Sequence, residues 1–181
     1  MNIVTAGTLR LEPQTAAHAA EMFVVLSDPA IYEYESEPPQ SLEGLRERFA
    51  ELESRRSPNG REQWLNWVIR LPDGRLAGYV QATVHPDRHA SIAYELNSAH
   101  WGRGLARQAV EAMLGELATH HGVPRATAVL KQVNQRSLRL LQRLGFAPAG
   151  GELLVQADIE KDEFLMVREL APAAISSHHP A

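Results

Sequence analysis

The chain contains no cysteine. Disulfides, zinc–thiolate sites and a cysteine nucleophile are therefore excluded. Long apolar runs are missing too: no stretch approaches the ~20 residues that a membrane-spanning helix needs. The start, Met1 to Leu11, lacks the basic-then-apolar pattern of a secretory leader. Basic residues are outnumbered, 18 Lys and Arg against 22 Asp and Glu. The net charge of −4 has the wrong sign for a general nucleic-acid binder. These absences describe a cytoplasmic protein with neither nucleic acid nor membrane among its partners. His178 and His179 have no further ligands at metal spacing, so no metal site is expected.

What is present suits a soluble domain. The 181 residues are 44% hydrophobic and 22% charged, enough for one core. Residues 1–170 read as a single domain. The Ala/Ser/His/Pro-rich end, 171–181, reads as a flexible tail.

Leu9 to Leu11 forms a first short strand, closed by Pro13. Thr15 caps a helix running to Leu26, and Asp28-Pro29 ends it. Ile31 to Gln40, carrying Glu33, Glu35 and Glu37, is a loop, and Ser41 opens a helix to about Arg56. Trp64 to Leu71, the Pro72-Asp73-Gly74 turn and Leu76 to Val84 make a hairpin. Trp64 and Trp67 take opposite faces of its first strand, which puts at least one in the core. Ser91 to Leu96 is the next strand. A helix from Gly104 to about Thr119 shows an apolar face of Leu105, Ala109, Met113 and Leu117. Ala126 to Leu130 is a strand, and Asn134 opens a helix with Leu138, Leu141 and Leu144 that Gly145 caps. Phe146 onward and Glu163 to Arg168 are two closing strands. The fold class is α/β: a mixed, mostly antiparallel sheet of six to seven strands with helices on both faces.

Two segments carry chemistry. In Trp101-Gly102-Arg103-Gly104-Leu105-Ala106 a strand ends and two glycines lead into an amphipathic helix. Glycines let the backbone turn sharply, and a helix N-terminus offers unpaired N–H groups to an anion. By itself this Gly-x-Gly fits a pyrophosphate cradle or a tight structural turn. Arg107 stands where a dinucleotide fingerprint needs a third small residue, and no Gly-Lys-Ser/Thr of a P-loop is present. The second segment is Asn134-Gln135-Arg136-Ser137, then Leu140-Leu141, then Leu144-Gly145-Phe146. It reads equally as a capped amphipathic helix.

In this order and with a strand between them, the two segments resemble the GNAT superfamily of acyl-CoA-dependent N-acetyltransferases across residues 8–169. Residues 101–106 are similar to its Gln/Arg-x-x-Gly-x-Gly/Ala turn, with Trp101 in place of Gln/Arg. Residues 134–146 are similar to its Asn-x-x-Ala/Ser…Leu-x-x-x-Gly-Phe helix. The tryptophan before Gly-Arg-Gly, the Asp-Pro helix stop and Ser137 resemble the ribosomal-protein alanine N-acetyltransferase (RimJ/RimL) branch. The resemblance implies acetyl-CoA as co-substrate and an amine as acceptor. It assigns the pyrophosphate to the main-chain N–H groups of Gly102, Arg103, Gly104, Leu105 and Ala106, with the Arg103 side chain adding charge. It sets the pantetheine arm against the strand edge at Tyr94, Glu95 and Leu96, and against Asn134. A homodimer is compatible with it.

The implied reaction is attack of an amine on a thioester. Without a cysteine no acyl-Cys intermediate can form, and since no other strong nucleophile stands out, direct attack in a ternary complex is the simpler route. Glu95, on an otherwise apolar strand just before the turn, is the candidate base: desolvation raises a carboxyl toward the range a base needs. A solvent-facing glutamate of an alternating strand is the plain reading of the same residue. The superfamily's thiolate partner is a tyrosine four residues before the Gly-Phe glycine. Leu141 stands there and cannot donate. Ser137, one turn earlier on the same helix face, is the hydroxyl that the resembled branch would use, as a hydrogen bond to sulfur. The acidic loop at residues 31–40 can attract a cationic amine or simply be solvated. A catalytically inactive CoA-binding sensor or interaction module is the second reading, kept alive by Leu141.

Overall fold

A computed structural model describes residues 1–34, 37–151, 153, 154, 157 and 159–170. The expected tail at 171–181, and Glu35 of the acidic loop, lie outside the described residues. In chain order the elements are β1 (Val4–Ala6), β2 (Leu9–Pro13), α1 (Ala19–Leu26), α2 (Leu42–Leu52), β3 (Gln63–Arg70), β4 (Leu76–Val84), β5 (His89–Leu96), α3 (Leu105–His120), β6 (Arg125–Lys131), α4 (Gln135–Arg143), β7 (Ala147–Pro148) and β8 (Glu163–Glu169). Eight strands form one sheet in the order β1-β2-β3-β4-β5-β6-β8-β7. Every neighbouring pair is antiparallel except β5–β6. That parallel step needs a long crossover, which α3 supplies.

The expected mixed sheet is present, with one strand more than the sequence pattern predicts. β1 has three residues and joins β2 through a two-residue turn in which Gly7 takes φ +61°. Three residues are too few to show an alternating pattern. The first helix is also shorter than expected. Thr15 opens a 3-10 turn over Ala16–His18, and the α-helix starts at Ala19. The His18 ring caps that turn, its Nδ1 accepting the Thr15 N–H at 3.1 Å. The loop after Asp28 likewise begins with a 3-10 turn, Pro29–Tyr32, which the Asp28 carboxylate caps by accepting the Ala30 N–H.

Both faces of the sheet are covered, so β3 is buried along most of its length and not only at every second residue. Trp67, Ile69, Val80 and Ile92 pack against Ala109, Met113 and Leu117 of α3 and Leu141 of α4. On the other face Val68 and Leu76 pack against Met22, Val25 and Leu26 of α1 and Leu45 and Phe49 of α2. Burial of each of the Val, Leu, Ile, Phe and Met side chains among them contributes about 1.5–3 kcal/mol. Trp67 is the core tryptophan, fully buried, with its indole N–H donated to the Asn2 carbonyl at 3.1 Å. Trp64 is half-buried and lines a second hollow beside α2, with Asn66, Tyr79 and Gln81. Among the described residues no helix is long and apolar enough to cross a membrane.

Candidate active site

The β5–β6 ladder is short: His89–Ser91 pair with Arg125–Thr127. β4 stays paired to β5 as far as Leu96, and β8 stays paired to β6 as far as Lys131. Past Ser91 and Thr127, then, the two strands are held by their outer neighbours. A cleft of about 540 Å³ opens there, walled by Ile92 to Leu96 on one side and Ala128 to Leu130 on the other.

The glycine turn closes one end of this cleft. Gly102 and Gly104 have φ of +72° and +74°, and a Cβ at either would meet nothing within 4 Å. The backbone conformation, not crowding, asks for glycine. Gly104 is the N-cap of α3, and no side chain caps the helix. The first helical bond back is from the Gln108 N–H to the Gly104 carbonyl, 3.1 Å. The N–H groups of Leu105, Ala106 and Arg107 precede it, at the positive end of a 16-residue helix. Trp101 fixes the turn from below. Its indole N–H donates to the Leu96 carbonyl at 2.8 Å, and its ring packs against the apolar clusters of both sheet faces.

Above the same indole lies Arg136, its guanidinium carbon 3.4 Å from the ring centroid, a cation–π contact. Arg107, Arg136, Arg139 and Arg143 all line the cleft, and the 136/139/143 spacing keeps the last three on one face of α4. A chain of net charge −4 thus presents a basic wall at one place. Arg103, expected to contribute charge, is exposed and turns its guanidinium toward His100 Nδ1 at 3.4 Å. It is absent from the cleft lining, whereas Arg107 is part of it.

Tyr94 and Glu95, being consecutive in β5, take opposite faces. Glu95 is paired in register with Tyr79 of β4, on the face covered by α1 and α2. Its negative charge reaches three phenols. Burial, then the Glu95 carboxylate, holds Tyr32 up at about 12; Tyr79 is raised by the same two causes. Burial, offset in part by the Ser137 hydrogen bond and reinforced by Glu95, holds Tyr94 up at about 12. Tyr94 lies on the α3–α4 face, its hydroxyl 2.6 Å from Ser137 Oγ. The Asn97 N–H donates to the Ala77 carbonyl. By the alternation of a strand, the backbone groups of Glu95 turn to β4 and those of Tyr94 and Leu96 turn to the cleft. Asn134 caps α4, its side-chain oxygen accepting the Ser137 N–H at 3.0 Å.

An uncapped helix end, a parted parallel strand pair and a basic wall in one cleft are the makings of a site for a phosphorylated, extended ligand. The family described as Acetyltransferase (GNAT) domain matches residues 8–147, and the chain belongs to this family of acetyltransferases. Among relatives, it is 34% identical over 94 residues to the mycothiol acetyltransferase of Acidimicrobium ferrooxidans, a match covering 48% of this chain and 30% of that protein. The chain therefore spans under a third of that relative. It is 24% identical over 151 residues to the uncharacterized N-acetyltransferase YoaA of Bacillus subtilis, covering 82% and 84% of the two. Solved structures share the fold. RimL, a ribosomal L7/L12 alpha-N-protein acetyltransferase in complex with coenzyme A, superposes with a TM-score of 0.78 at 19% identity, covering 93% and 98% of the chains. The ribosomal-protein-S5-alanine acetyltransferase of Vibrio fischeri gives 0.74 at 16%, covering 94% and 97%. Spermidine N-acetyltransferase of Vibrio cholerae, with CoA and spermine, gives 0.73 at 18%, covering 91% and 97%.

Of the residues singled out in the sequence, Glu95, Leu96, Trp101, Gly102, Gly104, Leu105, Ala106, Asn134 and Ser137 line this one cleft. Three features escape sequence reasoning. The arginines of α4 sit at helical spacing, but nothing local says which face they occupy. Trp101 reads as a substitution within a motif, while its role as the peg under the turn is a tertiary fact. The Tyr94–Ser137 contact joins residues 43 apart.

Proposed function

We propose that the protein is an acetyl-CoA-dependent N-acetyltransferase that moves the acetyl group to a primary amine by direct attack in a ternary complex. The observation that carries this reading is the cleft between β5 and β6, which ends at the uncapped helix α3. The N–H groups from Gly102 to Ala106 hold the CoA pyrophosphate. Arg107, Arg136, Arg139 and Arg143 supply the charge its phosphates need. The pantetheine arm adds like a strand to the edge of β5. It uses the Tyr94 backbone and the Leu96 N–H, since the Leu96 carbonyl is already bonded to Trp101. Asn134 keeps its oxygen on the helix cap and donates from its amide nitrogen to the arm.

Glu95 takes the proton of the incoming amine. The demand on it depends on the acceptor. An α-amine with a pKa near ~8 is already about a tenth neutral at pH 7, while a lysine-type amine near ~10.4 needs about 4–5 kcal/mol to deprotonate. The nitrogen attacks the thioester carbon, the C–S bond breaks, and the electron pair leaves with sulfur. The test is CoA-thiol release over a panel of amines, with Glu95→Gln alongside. Expected is turnover with at least one amine and a 10²–10⁴-fold lower kcat in the variant. Tight CoA binding with no turnover on any amine would overturn the enzyme reading in favour of a CoA sensor.

A further inference from the structure

The helix position where the superfamily carries its tyrosine holds Leu141, which is 1% exposed and faces the core. A phenol nevertheless reaches the cleft, from the strand. Tyr94 approaches from β5 and its hydroxyl meets Ser137 Oγ at 2.6 Å, with both residues lining the cleft. Glu95 is on the opposite face of the same strand. A thioester laid along β5 therefore has a carboxylate on the amine side and a pair of hydroxyls on the sulfur side.

Resting on the acetyl-CoA reading above, we propose that Tyr94 is a positioning residue: it donates its phenol hydrogen to Ser137 Oγ and so holds the Ser137 hydroxyl as a donor to the CoA sulfur. Two hydroxyls carry two protons. One is used in their mutual bond, and the more acidic phenol is the natural donor in it. The other is left for an outside acceptor. A lone serine hydroxyl rotates freely and can turn to nearby backbone groups instead. The phenol gives Ser137 Oγ a fixed partner instead. Tyr94 keeps its proton throughout, consistent with a phenol that burial holds up at about 12. When the C–S bond breaks, the electron pair goes to sulfur and Ser137 bonds to the thiolate. The amine proton goes to Glu95, which gives it up to solvent water, and the thiolate takes one proton back from solvent on release, so the base is restored. No net proton passes through the pair.

The chain has no cysteine, so the thiol of bound CoA is the one thiol in the complex. Its titration can be read without any acceptor, from the pH dependence of alkylation of CoA by iodoacetamide at saturating protein. Expected in the wild type is a midpoint below that of free CoA. Tyr94→Phe, which keeps the ring, and Ser137→Ala should each raise it by roughly one pH unit, about tenfold in thiolate fraction. The double variant should raise it no further than Ser137→Ala alone. With a working amine, kcat should fall about tenfold in Tyr94→Phe while KM for acetyl-CoA stays within about twofold. An unchanged midpoint in Tyr94→Phe, or additive effects of the two variants, would overturn the inference while leaving CoA binding intact. Loss of CoA binding by the wild-type protein would instead overturn the acetyl-CoA reading, and this inference with it. Should Tyr94→Phe not fold, an unchanged midpoint in Ser137→Ala would overturn the inference in the same way.

Discussion

Gly78 of β4 sits against β5 at the point where the candidate base leaves the strand. A Cβ added there would lie 2.0 Å from the Glu95 carbonyl oxygen, and 2.9 Å from both the Glu95 carbonyl carbon and the Leu96 Cα. All three are backbone atoms, so no side-chain rotation relieves the clash. A comfortable carbon–oxygen separation is about 3.3–3.6 Å, so β5 must shift by more than about 1 Å in Gly78→Ala. That shift falls on the two residues proposed to hold the base and the pantetheine arm. Overpacking of this kind costs about 1–3 kcal/mol. For a chain of this size that lowers Tm by roughly 2–12 °C. A misplacement of about 1 Å costs about 10²-fold in rate. The assay is thermal melting with and without CoA, together with kcat on the best amine of the panel. The control is Gly115→Ala, on an exposed face of α3 where a Cβ would meet nothing within 4 Å. It should leave the rate unchanged and raise stability by about 0.5–1 kcal/mol. Wild-type kcat and Tm in Gly78→Ala would refute the idea that this contact sets the position of Glu95.

Two further expectations concern charge. Arg136→Ala combined with Arg139→Ala should raise KM for acetyl-CoA about tenfold or more with little change in kcat, and should flatten its salt dependence. Arg136→Lys should restore only part of the loss, since an ammonium does not stack flat on Trp101 as the guanidinium does; steady-state kinetics at two ionic strengths read both. Asp28 accepts the Ser98 N–H at 2.7 Å, and this contact with Ser98 holds its carboxyl below the usual value of 3.8. A depressed carboxyl adds stability above its unfolded pKa, and that stability is lost as the pH falls through about 3.8 to the folded value. Melting of Asp28→Asn between pH 3 and 7 should show a smaller acid loss than the wild type; an identical pH profile would show that the contact carries no such linkage.

How legible the molecule is in its sequence depends on the range of each interaction. The glycine turn is plain because positive φ is a local demand, and residues 102 and 104 of the turn are the glycines that meet it. β3, β4 and β5 are plain because a largely apolar run between turn signals is also local. Strand parity puts Trp64 and Trp67 on opposite faces and so one of them in the core; that it is Trp67 follows only from the packing of β3 against α3. β1 escapes because three residues carry no period, and its partner β2 holds it in place. Arg136 cannot be assigned a place, since its position is set by Trp101, in an element that sequence separates from α4 by α3 and β6. Tyr94 reads as a backbone contact, while its hydroxyl meets Ser137 on another element.

The short parallel ladder between β5 and β6 has a consequence for how the chain comes together. β1 to β5 are joined neighbour to neighbour in sequence order, and β6 to β8 form a second antiparallel group. The joint between the groups is three residue pairs long and closes around the whole of α3, so it rewards a long loop with little pairing. The two walls of the cleft belong to different groups. A chain with one group formed therefore has half of each contact and none of the pocket, and ligand binding would report on the docking of the two groups as directly as any spectroscopic probe.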